Sequence, residues 1–141
     1  MLALGNSNMN GFLGTYNVSL DDKGRLNVPA KFKGMLDQEG PHLVMCVMAG
    51  FLLVCPQSEW RSNEEKLGHL NAFDTEDRTR LRQFYATATE CEVKSGKILV
   101  PAAQREAAGL SKETIIVGMS KTFEIWAPDR YTENPWKKTD E

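Results

Sequence analysis

The chain has 141 residues, 41% hydrophobic and 26% charged, with 17 Lys and Arg against 19 Asp and Glu for a formal net charge of −2. That profile excludes disordered, collagenous and disulfide-scaffold classes and limits the chain to one domain or two very small ones. It also excludes a global positive field, so any site for a polyanion must be local.

Residues 1–11 read as an N-terminal extension without the basic region and apolar run of a secretory signal. No stretch approaches the roughly 18 apolar residues needed to span a bilayer. Residues 15–20 then have strand composition, residues 21–24 form a turn in which Gly24 can supply a positive φ, and residues 25–28 alternate polar and apolar at period two. The expected element is a β-hairpin. Pro29 ends it and opens a short helix from Ala30 to about Leu36, because its fixed φ suits a first helical turn and its missing N–H is not needed there.

Residues 37–41 read as a loop. Residues 43–48 and 51–55 are apolar runs either side of Ala49-Gly50, which predicts a second hairpin buried enough to lose its alternation. Ser58 followed by Glu59 reads as the N-cap of a helix to about Leu70. Residues 74–84 predict a connecting helix, acidic at its start and basic at its end in keeping with the helix dipole.

The pattern then recurs. Residues 87–93, a turn at 94–96, residues 97–100, Pro101, a helix over 102–108 stopped by Gly109, and a hairpin of 115–119 with 123–126 repeat the earlier order. Asp129 is placed to cap a last short helix that Pro135 ends. Sliding the sequence by 72 positions pairs residues 12–60 with 84–132 and gives eight identities, where random pairing gives about three. They are Phe12/Phe84, Thr15/Thr87, Gly24/Gly96, Val28/Val100, Pro29/Pro101, Ala30/Ala102, Phe51/Phe123 and Pro56/Pro128.

The expected organisation is an extension at 1–11, a first repeat at 12–72, a connecting helix at 73–83, a second repeat at 84–134 and a tail at 135–141. Units of about 50–60 residues bury too little surface to be comfortably stable alone. The two should therefore share one core in a pseudo-symmetric α+β body, with leftover apolar edges free to pair between subunits.

Cations are focused at equivalent places in the two copies. Lys23, Arg25, Lys31 and Lys33 stand in the first and Lys94, Lys97 and Arg105 in the second, with no acid between residues 23 and 33 or between 94 and 105. Arg25 and Asn27 fall on one strand face because side chains alternate. A two-stranded ribbon fits a DNA major groove, where Arg reads guanine O6/N7 and Asn reads adenine. Lys31 and Lys33 would suit phosphates.

Asp21 and Arg25 on their own also fit a hairpin turn with a local ion pair, Asp21 acting as an Asx-type turn residue that positions the arginine. Gly24, Gly96, Pro29 and Pro101 read as backbone requirements. Arg78, Arg80 and Arg82 read as a solvated helix face or a subunit contact. Cys46, Cys55 and Cys91 are an odd count without C-x-x-C spacing, which suits small buried hydrophobes in a reducing, cytoplasmic compartment. His42 and His69 lack ligand-like spacing, so no metal site is expected. Trp60, Trp126 and Trp136 read as packing residues. A small hydrolase using Cys55 or Cys91 with His42 or His69 is the rival from another class, and no G-x-S-x-G, P-loop or H-E-x-x-H motif supports it.

Residues 20–29, preceded by Phe12-Leu-Gly14, resemble the first motif of the MraZ family, and residues 85–92 through 96–101 to 108–110 are similar to its second. The resemblance covers nearly the whole chain after residue 11. It implies a tandem pair of AbrB-like swapped-hairpin units forming an intrachain pseudo-dimer, assembly into a ring-shaped homo-oligomer, and sequence-specific binding of DNA at short direct repeats upstream of the division and cell wall gene cluster. That makes the expected protein a nucleoid-associated transcriptional regulator, a repressor of the cluster that includes its own gene. No cofactor, membrane partner or small-molecule substrate is implied.

The family's signature Asp and Arg four apart correspond to Asp21 and Arg25. In the second copy Val93 and Lys94 stand where the acid would be, the turn is one residue shorter, and Lys97 replaces Arg. A generic AbrB-like module with one copy per chain is the alternative among DNA-binding proteins, which the duplication disfavours.

Overall fold

The computed structural model describes residues 11–131. In chain order they form β1 (Thr15–Ser19), β2 (Arg25–Asn27), a 3-10 turn (Ala30–Phe32) running into α1 (Lys33–Glu39), β3 (His42–Met48), β4 (Phe51–Pro56), α2 (Gln57–Lys66), α3 (Thr75–Tyr85), β5 (Thr89–Glu92), β6 (Lys97–Leu99), α4 (Ala102–Ala107), β7 (Glu113–Gly118) and β8 (Phe123–Trp126). The class is mixed α+β, with antiparallel pairing and short helices.

Strands of the two repeats pair across to each other. Six of them form one sheet in the order β1-β7-β8-β4-β3-β5, and β2 and β6 form a separate two-stranded ribbon. Exchanging the repeats turns β1 into β5, β7 into β3 and β8 into β4, and the sheet order reads the same backwards. The hairpins expected at 43–55 and 115–126 are present as β3–β4 and β7–β8.

The hairpins expected at 15–28 and 87–100 are corrected. Each turn is present, but β1 pairs with β7 and β2 with β6, so successive strands leave their turn into different layers. The Leu20 N–H donates to the Lys112 carbonyl at 2.7 Å, and the Val28 N–H donates to the Gly96 carbonyl at 2.9 Å. Local turn chemistry specifies the turn itself, while a duplicated chain offers each strand a further partner in the other copy, and that is the one it takes.

The core lies between the six-stranded sheet and the ribbon. Leu26 and Ile98, central on the two ribbon strands and buried, face Leu43, Met45, Leu52, Val54, Ile116 and Ile125 of the sheet. Burying each such side chain contributes about 1.5–3 kcal/mol. Phe12, Phe32 and Phe123 pack together with ring centroids 4.9–5.1 Å apart and fill one end of this layer. On the opposite face of the sheet, α2 and α3 cover β3 and β4, and Trp60 stacks on Phe84 at 4.0 Å.

The start of α2 differs from expectation. Ser58 is not an N-cap: α2 begins at Gln57 and ends at Lys66, and the Ser58 hydroxyl donates instead to the Glu39 carboxylate. Asp74 does cap α3, its carboxylate accepting the Asp77 N–H at 3.0 Å, as Asx residues do at orphan N–H groups. Asp129 lies in a turn of residues 128–130, and the short helix expected between it and Pro135 falls largely outside the described residues, as does Trp136.

The ungapped alignment is correct only at the ribbon and the turn of helix after it. Leu20 donates to Lys112 O as Val93 donates to Pro41 O, so Leu20 corresponds to Val93, one position beyond that alignment, and Pro41 to Lys112, one position short of it. Phe12 and Phe84 are accordingly not equivalent: one is a core residue and the other packs on Trp60 outside it. Phe51 and Phe123 also differ, Phe51 stacking on Trp126 at 4.4 Å and Phe123 lying in the core.

Candidate nucleic-acid interface

The ribbon register decides which side chains meet. Arg25 is opposite Leu99, Leu26 opposite Ile98, and Asn27 opposite Lys97. Directly opposite residues share a face, so with Leu26 and Ile98 inward the outer face carries Arg25, Asn27, Lys97 and Leu99. The bonds Val100 N–H to Gly24 O and Val28 N–H to Gly96 O mark the hydrogen-bonded positions. The pairs Arg25–Leu99 and Asn27–Lys97 therefore take the alternate positions, where opposite side chains come closest.

The two turns enter the ribbon at opposite ends, on the order of 10 Å apart for strands of this length. In the first, one Asp21 carboxylate oxygen accepts the N–H groups of Lys23 and Arg25, both at 2.9 Å, and the other accepts Arg25 Nε at 2.9 Å. These bonds hold the Asp21 carboxyl below its usual 3.8, the Arg25 backbone N–H contributing most. With Nε engaged, the two terminal nitrogens of Arg25 are the donors left for a planar acceptor pair such as a guanine edge.

In the second turn Lys94 and Lys97 exchange both backbone bonds, at 2.9 and 3.0 Å, across Ser95 and Gly96 with φ of +52 and +74. Positive φ at both central residues is the signature of the tight two-residue turn. The structure thereby explains the missing acid: the longer first turn needs the Asp21 carboxylate to take its inner N–H groups, and the shorter one closes by backbone bonds alone.

The remaining expected cations divide. Lys23 is exposed on the first turn and Lys31 on the 3-10 turn. Lys94 is exposed on the second turn with Glu92 4.0 Å away. Lys33 is paired with Asp37 at 3.0 Å, an exposed contact of the weak kind. Arg105 is the clearest departure from a free phosphate ligand, because its guanidinium donates to the Val100 carbonyl and packs against Gly24, tying α4 to the first turn. Leu99 was not among the expected residues. The period-two signal that puts Lys97 outside puts Leu99 there too, but the apolar run Ile98-Leu99-Val100 hides it.

Gly24 has φ of +84, and a Cβ built there would collide with Arg105; Gly96 at +74 faces open space. Pro29 and Pro101 directly precede the first residue of the 3-10 turn and of α4. Burial pushes the Cys55 thiol up to about 12 and the Cys91 thiol up to about 11, so little thiolate is available near neutral pH for the nucleophile a Cys hydrolase needs. His42 and His69 are exposed, and among the described residues no group of three His, Cys, Asp or Glu is arranged to hold a metal ion. No helix among them is long and apolar enough to cross a membrane.

The sequence model of the MraZ family, described as "MraZ protein, putative antitoxin-like", matches residues 12–83 and again 84–135. The chain belongs to the MraZ family. A relative named "Transcriptional regulator MraZ" from Lachnoclostridium phytofermentans is 41% identical over 132 residues, covering 92% of this chain and 91% of the relative. Proteins of the same name from Ligilactobacillus salivarius and Pediococcus pentosaceus are 42% and 41% identical, over 85% and 86% of this chain and 83% and 85% of their own. Transcription regulation is the function class that MraZ membership gives the chain.

Proposed function

We propose that the chain is a sequence-specific DNA-binding repressor that engages short direct repeats upstream of its own gene in the division and cell wall cluster. The observation that carries this reading is the outer face of the β2–β6 ribbon, where a carboxylate-held Arg25 lies beside Asn27 and Lys97 on a surface narrow enough for a major groove. Lys23, Lys31 and Lys94 around it supply phosphate contacts. Cross-repeat pairing of β2 with β6 supports the swapped-hairpin, AbrB-like pseudo-dimer, in which one chain does what two single-copy chains would do.

The chain works as a ring-shaped homo-oligomer in the cytoplasm, associated with the nucleoid. Support for assembly comes from the edge strands β1 and β5 and from a groove of about 790 Å³ lined by Val47, Met48, Phe51, Leu67 and Phe84 and bordered by Arg80 and Arg82. Three ribbon residues and a few lysines bind weakly alone, and repeating them around a ring against repeated DNA boxes makes the later contacts intramolecular. Retention of a fragment from the gene's own upstream region, at two salt concentrations and with random DNA as competitor, tests the DNA reading. Sedimentation of the unbound protein tests the ring, and a monomer would remove it.

A further inference from the structure

We propose that Leu99 is a specificity-determining residue of the ribbon, taking the 5-methyl group of a thymine next to the base read by Arg25. The inference rests on the DNA-binding reading above and goes beyond it by naming the chemistry read at a second position.

Leu99 is 49% exposed on a face whose other three residues, Arg25, Asn27 and Lys97, are all hydrogen-bonding side chains. Scattered exposed leucines are ordinary. The position of this one is not. It occupies the closest-approach pair with Arg25, with Cβ atoms about 5 Å apart, and its pseudo-symmetric mate across the ribbon is the polar Asn27. Its neighbours Ile98 and Val100 are buried in the core, so the strand holds Leu99 outward and no rotation can hide it.

In a major groove the thymine methyl is the one apolar group a base pair presents, and aliphatic side chains read it by contact. Arg25 engaging a guanine would bring Leu99 against the adjacent step. The two residues then give the ribbon a composite preference that neither repeat produces alone: the arginine comes from the first copy and the leucine from the second.

The test compares the upstream fragment made with thymidine against the same fragment made with deoxyuridine, which removes only the methyl groups. Wild type is expected to bind the deoxyuridine fragment at least about fourfold more weakly, the effect of one buried methyl at one box. Leu99→Ala should bind both fragments alike, at the weaker level, and Leu99→Met, which keeps the apolar reach, should restore the difference. Because Leu99 is half exposed, circular dichroism should find all three proteins folded. Equal thymidine-to-deoxyuridine ratios in wild type and Leu99→Ala would overturn the role of Leu99 while leaving DNA binding in place. Failure of wild type to prefer the thymidine fragment over random DNA would overturn the ribbon reading itself, and Leu99's role with it.

Discussion

Asp21 holds Arg25 at two points, accepting its backbone N–H with one carboxylate oxygen and its Nε with the other, each at 2.9 Å. One residue thus shapes the turn and sets the arginine's direction. Asp21→Asn keeps an acceptor for the backbone N–H groups and loses the charge, whereas Asp21→Ala loses both. Operator affinity should therefore fall in the order wild type, Asp21→Asn, Asp21→Ala, measured by fluorescence anisotropy on one fragment. Asp21→Ala binding as tightly as wild type would separate the carboxylate from the arginine's task.

The same bonds fix a pH dependence. Asp21 titrates below its usual 3.8 in the folded chain, so its contribution to stability is present above that value and is lost as pH falls through the lower folded one. The stability difference between wild type and Asp21→Asn should be constant from pH 7 to about 4 and shrink only below it. Denaturant titrations along that series check this. A gap that closes between pH 6 and 5 would place the responsible group elsewhere.

Gly24 and Gly96 are aligned in sequence and share a positive φ, yet they should respond differently to alanine. At Gly96 only backbone strain applies, about 1–2 kcal/mol. At Gly24 the new Cβ also displaces the Arg105 guanidinium and meets the Val100 carbonyl at 3.1 Å. Gly24→Ala should lower the melting temperature more than Gly96→Ala, and Arg105→Ala should remove part of the excess. Equal losses would mean that Arg105 does not close over the turn.

Cross-repeat pairing makes the copies interdependent. β5, β6 and β7 find their partners in β3, β2 and β1. A fragment of residues 84–131 should show no cooperative unfolding transition. Truncating the ribbon's inner residues in the full chain, Leu26→Ala or Ile98→Ala, should each cost about 2–5 kcal/mol in a denaturant titration. A second repeat that melts cooperatively alone would contradict the shared core.

The duplication, the class of nearly every element and the outward side of Arg25 and Asn27 are readable in the sequence, because period-two alternation and turn residues are local signals. Which strands pair is not. Thr15–Ser19 and Arg25–Asn27 carry every mark of one hairpin, and only the presence of a second copy offers each a better partner. The one-residue difference between the turns moves the correct alignment off the ungapped one before the ribbon, and a second one-residue difference, between Pro29–Pro41 and Pro101–Lys112, moves it off again after the ribbon, so Phe12/Phe84 is a match in letters alone. The fate of Arg105 was hidden for a similar reason: its partner, the Val100 carbonyl, is a backbone atom that composition does not reveal.

Salt dependence separates the roles of the cations. Lys31→Ala should weaken binding to all sequences alike and reduce the slope of log K against log salt by about 1, as the loss of one phosphate contact does. Arg105→Ala should reduce that slope by less than Lys31→Ala does, since one terminal nitrogen of its guanidinium already donates to the Val100 carbonyl.

Arg25→Ala, compared with wild type on the upstream fragment in excess random DNA, is the decisive comparison for base reading by the ribbon. If the ribbon reads bases through Arg25, specific binding should fall by about 1–3 kcal/mol while circular dichroism finds the fold intact. Equal retention of the fragment by the two proteins would contradict that reading.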